Sequence, residues 1–382
     1  MRVLHFVTGG FSGATQVAVD LCLAAQQGQD MQVLLVLRRK RNTDAARVQA
    51  LRDKGLDVRV VPGWSHLATV LSLRKIALEW QPDILVAHGF SDHLWGRYAG
   101  ILAKVPHLVH VEHNARERYT PWRLKQALWL TQHTAAIVGV TNGVRQHLIG
   151  LGFPTGKCLA IPNGIDLARF PVSQLVPWEQ REPSLVMAAR FARQKDHKTL
   201  LLALSLLARQ GLRPRLYLAG KGKARLLQQT RQLAHSLGLE EQVEFLGHVD
   251  NLPAFMSGKQ LNILSTHYEG MGLSLVEGMA AGCACIGTDV VGVQDVIDHG
   301  QNGLLVPEND PAALAKAIQH LLEDPATARK LAAAGRAKAF AAFSRSLMMA
   351  RYATLLRALH DHAPLPDLDR ISLSASAESA TL

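Results

Sequence analysis

Two glutamates in an E-x7-E spacing, Glu269 and Glu277, flank a glycine-bearing turn within Ser265–Thr288, STHYEGMGLSLVEGMAAGCACIGT. An ionised carboxylate accepts hydrogen bonds from paired hydroxyls well. The turn itself, Gly270-Met271-Gly272-Leu273, leads into a helical pattern. Its backbone N–H groups and the positive end of the helix dipole favour an anion such as a phosphate. Anion donors beside hydroxyl acceptors suit a sugar nucleotide. The plainer reading of Glu277 is charge stabilisation of a helix start.

Other residues capable of chemistry lie on loops that follow apolar runs. RFARQKD (Arg190–Asp196) carries Arg190 and Lys195; as a basic loop after a strand it also reads as a surface turn salt-bridged by Asp196. The opening run RVLHFVT leads into GGFSGATQ, where Gly9 and Gly10 are adjacent and the next glycine is Gly13. That spacing does not satisfy G-x-G-x-x-G and weakens a dehydrogenase reading, although adjacent glycines permit close backbone approach to a ligand. His88 and His113 stand at the ends of the strand-like runs DILVAH and HLVHVEHN, and His248 follows VEFLG. The carboxyl ends of strands line the crevice of an open α/β sheet. A hydrogen-bonded structural role is the alternative for each histidine, and His113 carries more weight because Glu112 and Asn114 surround it.

The elements that must position these groups alternate strand and helix. Apolar strands at Arg2–Thr8, Met31–Leu37, Val58–Pro62, Asp83–His88, His107–Asn114 and Ala135–Thr141 are separated by helical periods, including Val17–Gly28, Leu67–Trp80 and His93–Leu102. After Pro162-Asn163-Gly164 and the irregular VPWEQREP, the alternation restarts at Ser184–Arg190. The expected organisation is two α/β domains, 1–172 and 173–342, facing a crevice, with a helix in 343–362 and a disordered tail over 363–382.

A length of 382 residues, 48% hydrophobic and 19% charged, fits a two-domain globular protein. No apolar run approaches the roughly 18 residues of a membrane span. The strand beginning at Val3 leaves no room for a signal peptide, so a cytoplasmic location is expected. Four scattered cysteines, Cys22, Cys158, Cys283 and Cys285, read as free thiols. The net charge of +11 favours anionic partners: nucleotide phosphates, anionic lipid or nucleic acid. Arg38-Arg39-Lys40-Arg41 reads as a solvated loop or an anionic-surface contact. Arg116–Leu130, with Tyr119, Trp122 and Trp129, reads as a membrane-interface or base-stacking segment or as ordinary helix packing, with core packing preferred for Trp129.

Taken together, RFARQKD, EGMGLSLVEGMAAG, PNGIDLARF, the Gly9-Gly10 turn and VVGVQDVIDHGQNGLLVPENDP resemble the retaining glycosyltransferases of the large GT-B family 4. The resemblance spans most of the chain to about Leu359. It implies two Rossmann-like α/β domains facing a central cleft, an acceptor side in the N-terminal half, a nucleotide-sugar side in the C-terminal half, and a C-terminal helix crossing back to the first domain. By similarity, Arg190 and Lys195 contact the donor diphosphate, Glu269 the sugar hydroxyls and Glu277 the ribose diol. The N–H groups of Gly270, Met271, Gly272 and Leu273 face the phosphates, Gly10 lies in the loop that closes on the diphosphate, His113 is near the reacting sugar, and His248 is near the base. Met271, Ala284 and Gln294-Asp295 stand where members commonly have Phe, Pro and Pro-Glu, which leaves donor identity less defined than reaction type.

The expected activity is transfer of a hexose-like sugar from a UDP- or GDP-sugar to a hydroxyl acceptor, possibly a lipid-linked envelope glycan, with peripheral membrane association and no nucleic acid. The nucleotide sugar is a co-substrate; no cofactor and no divalent metal are expected, and the one D-x-D, Asp367-Leu368-Asp369, falls in the tail. A sugar-nucleotide epimerase would instead convert the donor with no acceptor present. A non-catalytic anionic-ligand binder would show salt-sensitive nucleic-acid binding without nucleotide-sugar affinity.

Overall fold

The structure is a computed structural model that describes residues 1–28, 30–116 and 119–371. Its described residues divide into two compact units, Met1–Pro162 together with residues 346–371, and Asn163–Arg345.

The first unit is built from β1 (Arg2–Thr8), α1 (Gly13–Gln27), β2 (Gln32–Arg38), α2 (Ala45–Asp53), β3 (Val58–Val61), α3 (His66–Trp80), β4 (Ile84–His88), α4 (Asp92–Leu102), β5 (His107–Glu112), α5 (Pro121–Trp129), β6 (Ala136–Gly139), α6 (Asn142–Gly150) and β7 (Cys158–Ala160). The seven strands pair in parallel in the order β3-β2-β1-β4-β5-β6-β7. Parallel sheets are covered by helices on both faces, which is why β1 and β4 read as mostly apolar runs and are buried almost throughout. The order reverses between β1 and β4. Loops leaving the carboxyl ends of those two strands diverge and open the crevice where such sheets bind ligands.

The second unit contains β8 (Glu182–Ala188), α7 (His197–Arg209), β9 (Leu216–Ala219), α8 (Ala224–Ser236), β10 (Val243–Gly247), α9 (Leu252–Ser257), β11 (Lys259–Leu264), α10 (Leu273–Ala280), β12 (Ala284–Thr288), β13 (Leu304–Val306), α11 (Pro311–Glu323) and α12 (Pro325–Ala342). Its parallel order is β10-β9-β8-β11-β12-β13, so the switch point lies between β8 and β11. The two loops that carry Lys195 and Glu269 follow these two strands. α13 (Arg345–His360) then groups with the first unit, where Tyr352, Leu355 and Leu356 are buried.

Several local expectations shift. The second unit begins ahead of the boundary expected at 172/173, because Ile165 pairs with Ser344 and Phe170 is packed into that unit's core. β5 stops at Glu112, since the N–H of His113 donates to the Glu112 side chain (3.0 Å) rather than to a neighbouring strand. Arg38 is no solvated loop residue: it ends β2, is 4% exposed and pairs with Asp92 at 2.5 Å. Trp129 is not in the core; Ala127 makes the buried contact of α5, and Trp129 stacks at the surface on Tyr98. In the segment Arg116–Leu130, Glu117 and Arg118 lie outside the described residues. The tail expected from 363 continues as described chain to Ile371 with Leu368 buried, and its remainder, 372–382, lies outside the described residues. All four cysteines are free and buried.

Candidate active site

In the second unit the loop after β8 and the loop after β11 are stitched together by backbone. Lys195 and Thr266 form an antiparallel bridge, the N–H of His267 donates to the carbonyl of Gln194 (2.9 Å), and that of Asp196 donates to Ser265 (3.0 Å). Glycines let neighbouring loops press on this pair. A Cβ on Gly222 would lie 2.4 Å from the Phe191 carbonyl oxygen, and one on Gly292, at φ +84°, would lie 2.5 Å from that of Gly270. Both distances are sterically forbidden, so these two positions fix the loops that carry the charged groups.

The loops converge on Glu269, which is 7% exposed. Its carboxylate forms an ion pair with Lys195. Oε1 also accepts from the Thr266 hydroxyl (2.8 Å), and Oε2 accepts from the Gln194 amide (3.2 Å), whose nitrogen donates as well to the Tyr268 carbonyl (2.7 Å). Asp196 does not bridge to Lys195 as the surface-turn reading has it. Its carboxylate accepts from the N–H of Thr199 (3.0 Å) and caps α7. Arg190 is exposed at the start of the same loop.

Directly after Glu269, Gly272 adopts φ +62° and starts α10. No side chain caps this helix and no acidic residue occupies its first turn, so the N–H groups around Gly272 and Leu273 keep their affinity for an anion. Met271 is buried beside them and fills the position with a flexible apolar side chain. Glu277 lies beyond the first turn of α10, which removes its reading as a helix-start charge. It is partly buried, and burial raises its carboxyl pKa while Arg169 opposes the rise. His248 is exposed after β10 and lies 3.5 Å from the Asp250 carboxylate; the described contacts do not join it to the Glu269 cluster.

In the first unit, the Gly9-Gly10 turn follows β1. Gly9 is the position that must lack a side chain, because a Cβ there would meet the Arg38 carbonyl oxygen at 2.8 Å, whereas Gly10 has ordinary room. The Thr15 hydroxyl ties the turn down, accepting from the Ser12 N–H (3.1 Å) and donating to the Thr8 carbonyl (2.9 Å). His113 follows β5, and its Nε2 is 3.2 Å from Nδ1 of His88. Burial holds the His113 imidazole down at about 4, so it is neutral at neutral pH.

Behind His113 lies a buried polar cluster. Glu112 accepts from the Tyr119 hydroxyl (3.0 Å), and Nη2 of Arg97 is 2.8 Å from Nδ1 of His93. Arginine only donates, so His93 carries its proton on Nε2, which faces the Tyr119 oxygen at 3.2 Å. Burial lowers Arg97 to about 10. His110 and Glu112 also lie close to His93, but the His93 and His110 rings are stacked, with centroids 3.9 Å apart and planes at 17°. The in-plane lone pairs of stacked rings run parallel and do not converge on one point, so the grouping reads as ring packing, with His110 stacked on His93 and 3.5 Å from the Glu112 carboxylate.

The sequence singles out Glu269, Lys195, Arg190, His88 and the turn before α10, and it does not single out Gln194, Thr266 or His5. Gln194 sits inside the R-x4-K loop, yet nothing in the pattern shows where its amide points. Thr266 carries no sequence signal of its own.

Residues 173–338 match the family described as Glycosyl transferases group 1, and residues 11–169 match Glycosyltransferase Family 4. The chain is 28% identical over 296 residues to a putative glycosyltransferase EpsD of Bacillus subtilis (71% of this chain, 75% of that one). It is 26% identical over 373 residues to the lipopolysaccharide core biosynthesis glycosyltransferase LpsE of Rhizobium meliloti (93% and 99%). Its fold resembles that of Anabaena HepE, crystallised with UDP-glucose, at a TM-score of 0.81 and 21% identity, covering 94% of this chain and all of that one. With two family matches that between them take in both units, and the same two-unit parallel-sheet fold, the chain belongs to the family 4 glycosyltransferases of GT-B fold.

Proposed function

We propose that this glycosyltransferase moves a hexose-like sugar from a UDP- or GDP-sugar to a hydroxyl acceptor with retention at the anomeric carbon. The observation that carries the reading is the Glu269 carboxylate held by Thr266 and Gln194 beside Lys195, immediately before the uncapped start of α10. In this reading the N–H groups of Gly270, Met271, Gly272 and Leu273, with Arg190 and Lys195, bind the diphosphate. Glu269 accepts from donor-sugar hydroxyls and Glu277 from the ribose diol. His113 is assigned to the sugar, Gly10 to the diphosphate and His248 to the base.

The bond from the anomeric carbon to the diphosphate oxygen breaks with its electron pair on that oxygen. The cations and the helix start stabilise the growing charge. The acceptor oxygen bonds to the anomeric carbon on the same face and gives its proton to the departing phosphate oxygen. These steps use no divalent cation, and the nucleotide sugar is the only co-substrate.

The acceptor class we favour is a lipid-linked glycan or glycolipid of the cell envelope, made at the cytoplasmic face of the membrane. LpsE, named for lipopolysaccharide core biosynthesis, supports that choice. So does the surface of the first unit, where Trp64, Leu67, Leu71, Trp122 and Trp129 are exposed and Arg123 and Lys125 follow Trp122 along α5. No described helix is long and apolar enough to cross a membrane. Release of UDP or GDP from a matched donor, measured in the presence of EDTA with envelope glycolipid extract as acceptor, tests the reading. Glu269→Ala, Lys195→Ala and Arg190→Ala are each expected to abolish release with the thermal melt intact. An active Lys195→Ala enzyme, or release that requires Mn²⁺, contradicts it.

A further inference from the structure

Three imidazoles are hydrogen-bonded in series across the carboxyl side of the first unit's sheet. Nδ1 of His5, in β1, is 3.0 Å from Nε2 of His88, at the end of β4. Nδ1 of His88 is in turn 3.2 Å from Nε2 of His113. The rings stack along the same path, with centroids 5.3 Å and 5.5 Å apart and planes within about 30°. His5 and His88 are each 1% exposed. Adjacent parallel strands fix the spacing, since β1 and β4 are direct neighbours and β4 pairs with β5.

A buried catalytic histidine is ordinarily oriented by a carboxylate or a carbonyl on its second nitrogen, which dictates where its proton sits. Here the partner of His113 is another imidazole, and the partner of that imidazole is a third. Burial keeps all three neutral, with His5 and His113 lowered to about 4 and His88 well below its ordinary value. A neutral imidazole has one N–H and one lone pair. Two consecutive hydrogen bonds therefore allow only two collective arrangements. Either every ring donates toward His5, leaving the free Nδ1 of His113 an acceptor, or every ring donates toward His113, leaving that Nδ1 a donor. The far end reaches a mainly apolar cavity of about 330 Å³ lined by His5, Leu21, Met31, Tyr352 and Leu356. Asp30, the one carboxylate among its described lining residues, is held by Arg357 at 2.7 Å. Among the described contacts, no carboxylate is hydrogen-bonded to His5 at that end of the chain of rings.

We propose that His88 and His5 are positioning residues that fix the tautomer and the ring orientation of His113, and so set the polarity of the group it offers to the donor sugar. This rests on the assignment of His113 to the sugar. The effect then falls on recognition of the sugar and spares recognition of the nucleoside diphosphate.

The test compares binding of UDP-glucose and GDP-mannose with that of UDP and GDP by calorimetry on the full chain. His88→Leu is expected to weaken the nucleotide sugar about tenfold, the worth of one well-made hydrogen bond, and to leave the free diphosphate unchanged. His113→Ala is expected to do the same. His88→Asn keeps a polar atom near the Nδ1 position and is expected to restore most of the loss. Nitrogen-15 spectra of the histidine rings give a second readout: the three rings of the unaltered protein show matching head-to-tail tautomers, and His5→Leu changes the Nδ1 and Nε2 shifts of His113. Should His88→Leu not fold, these spectra decide alone. Unchanged sugar affinity in His88→Leu alongside a weakened His113→Ala overturns the relay, as do mismatched tautomers or His113 shifts indifferent to His5. Unchanged affinity in His113→Ala overturns instead the placement of His113 at the sugar.

Discussion

Glu269 keeps its orientation without help from Lys195. Thr266 and Gln194 each hold one carboxylate oxygen through a neutral donor, and both are anchored by the backbone pairing of their loops. In the proposed reaction, a diphosphate that draws Lys195 away leaves the carboxylate aimed, with lone pairs available to hydroxyls. The Thr266 hydroxyl has one proton, and its shortest acceptor is Glu269 rather than the carbonyls of Gln194 and Tyr268. Thr266→Val, which keeps the shape and removes that proton, is expected to lower kcat/KM about tenfold, and Thr266→Ser to restore it, as steady-state kinetics would show. At this scale the sequence exposed the charged residues, because Arg, Lys and Glu at fixed spacings form a pattern. It hid Thr266 and Gln194, because their value comes from a cross-loop pairing that has no local signature.

The strands and helices explain both what was legible and what was not. Buried parallel strands must be apolar throughout, so the polar exceptions His5 and His88 within β1 and β4 mark departures with a purpose; the sequence shows the exceptions but not that adjacent strands align them. Arg38 read as a loop residue for a related reason: only the fold brings Asp92 of α4 against the end of β2. Trp129 was misjudged because α5 needs only the small Ala127 to pack. The buried histidines also give the first unit a pH dependence. His5 and His113 have folded pKa values near 4 against about 6.5 unfolded, so below 6.5 the unfolded chain binds more protons. Their stabilisation is complete above about pH 6.5 and is lost as pH falls toward 4, at about 1.4 kcal/mol per unit for each ring. Thermal melts are therefore expected to be level from pH 7 to 8 and to fall progressively below 6.5. A melting temperature unchanged down to pH 4.5 would contradict neutral, buried rings.

At the scale of the whole molecule, two parallel-sheet units and a terminal helix assigned to the first of them follow the alternation visible in the sequence. The excess of 11 positive charges is not explained by the donor site alone. Trp64, Leu67, Trp122 and Trp129 are exposed on the first unit, and in the proposed membrane-associated reading they are the aromatic and apolar contacts with a lipid interface. Sedimentation with vesicles is expected to show binding to phosphatidylglycerol-containing membranes, weakened by salt and by Trp122→Ala, and little binding to phosphatidylcholine alone. Equal binding to both lipids would remove the electrostatic part of the proposal. The central claim concerns the donor, and calorimetric titration of the full chain with UDP-glucose, GDP-mannose and ADP-glucose in EDTA tests it most directly. The account predicts that a UDP- or GDP-sugar binds and that Lys195→Ala weakens it at least about tenfold. Failure of all three to bind, or equal affinity in Lys195→Ala, would contradict it.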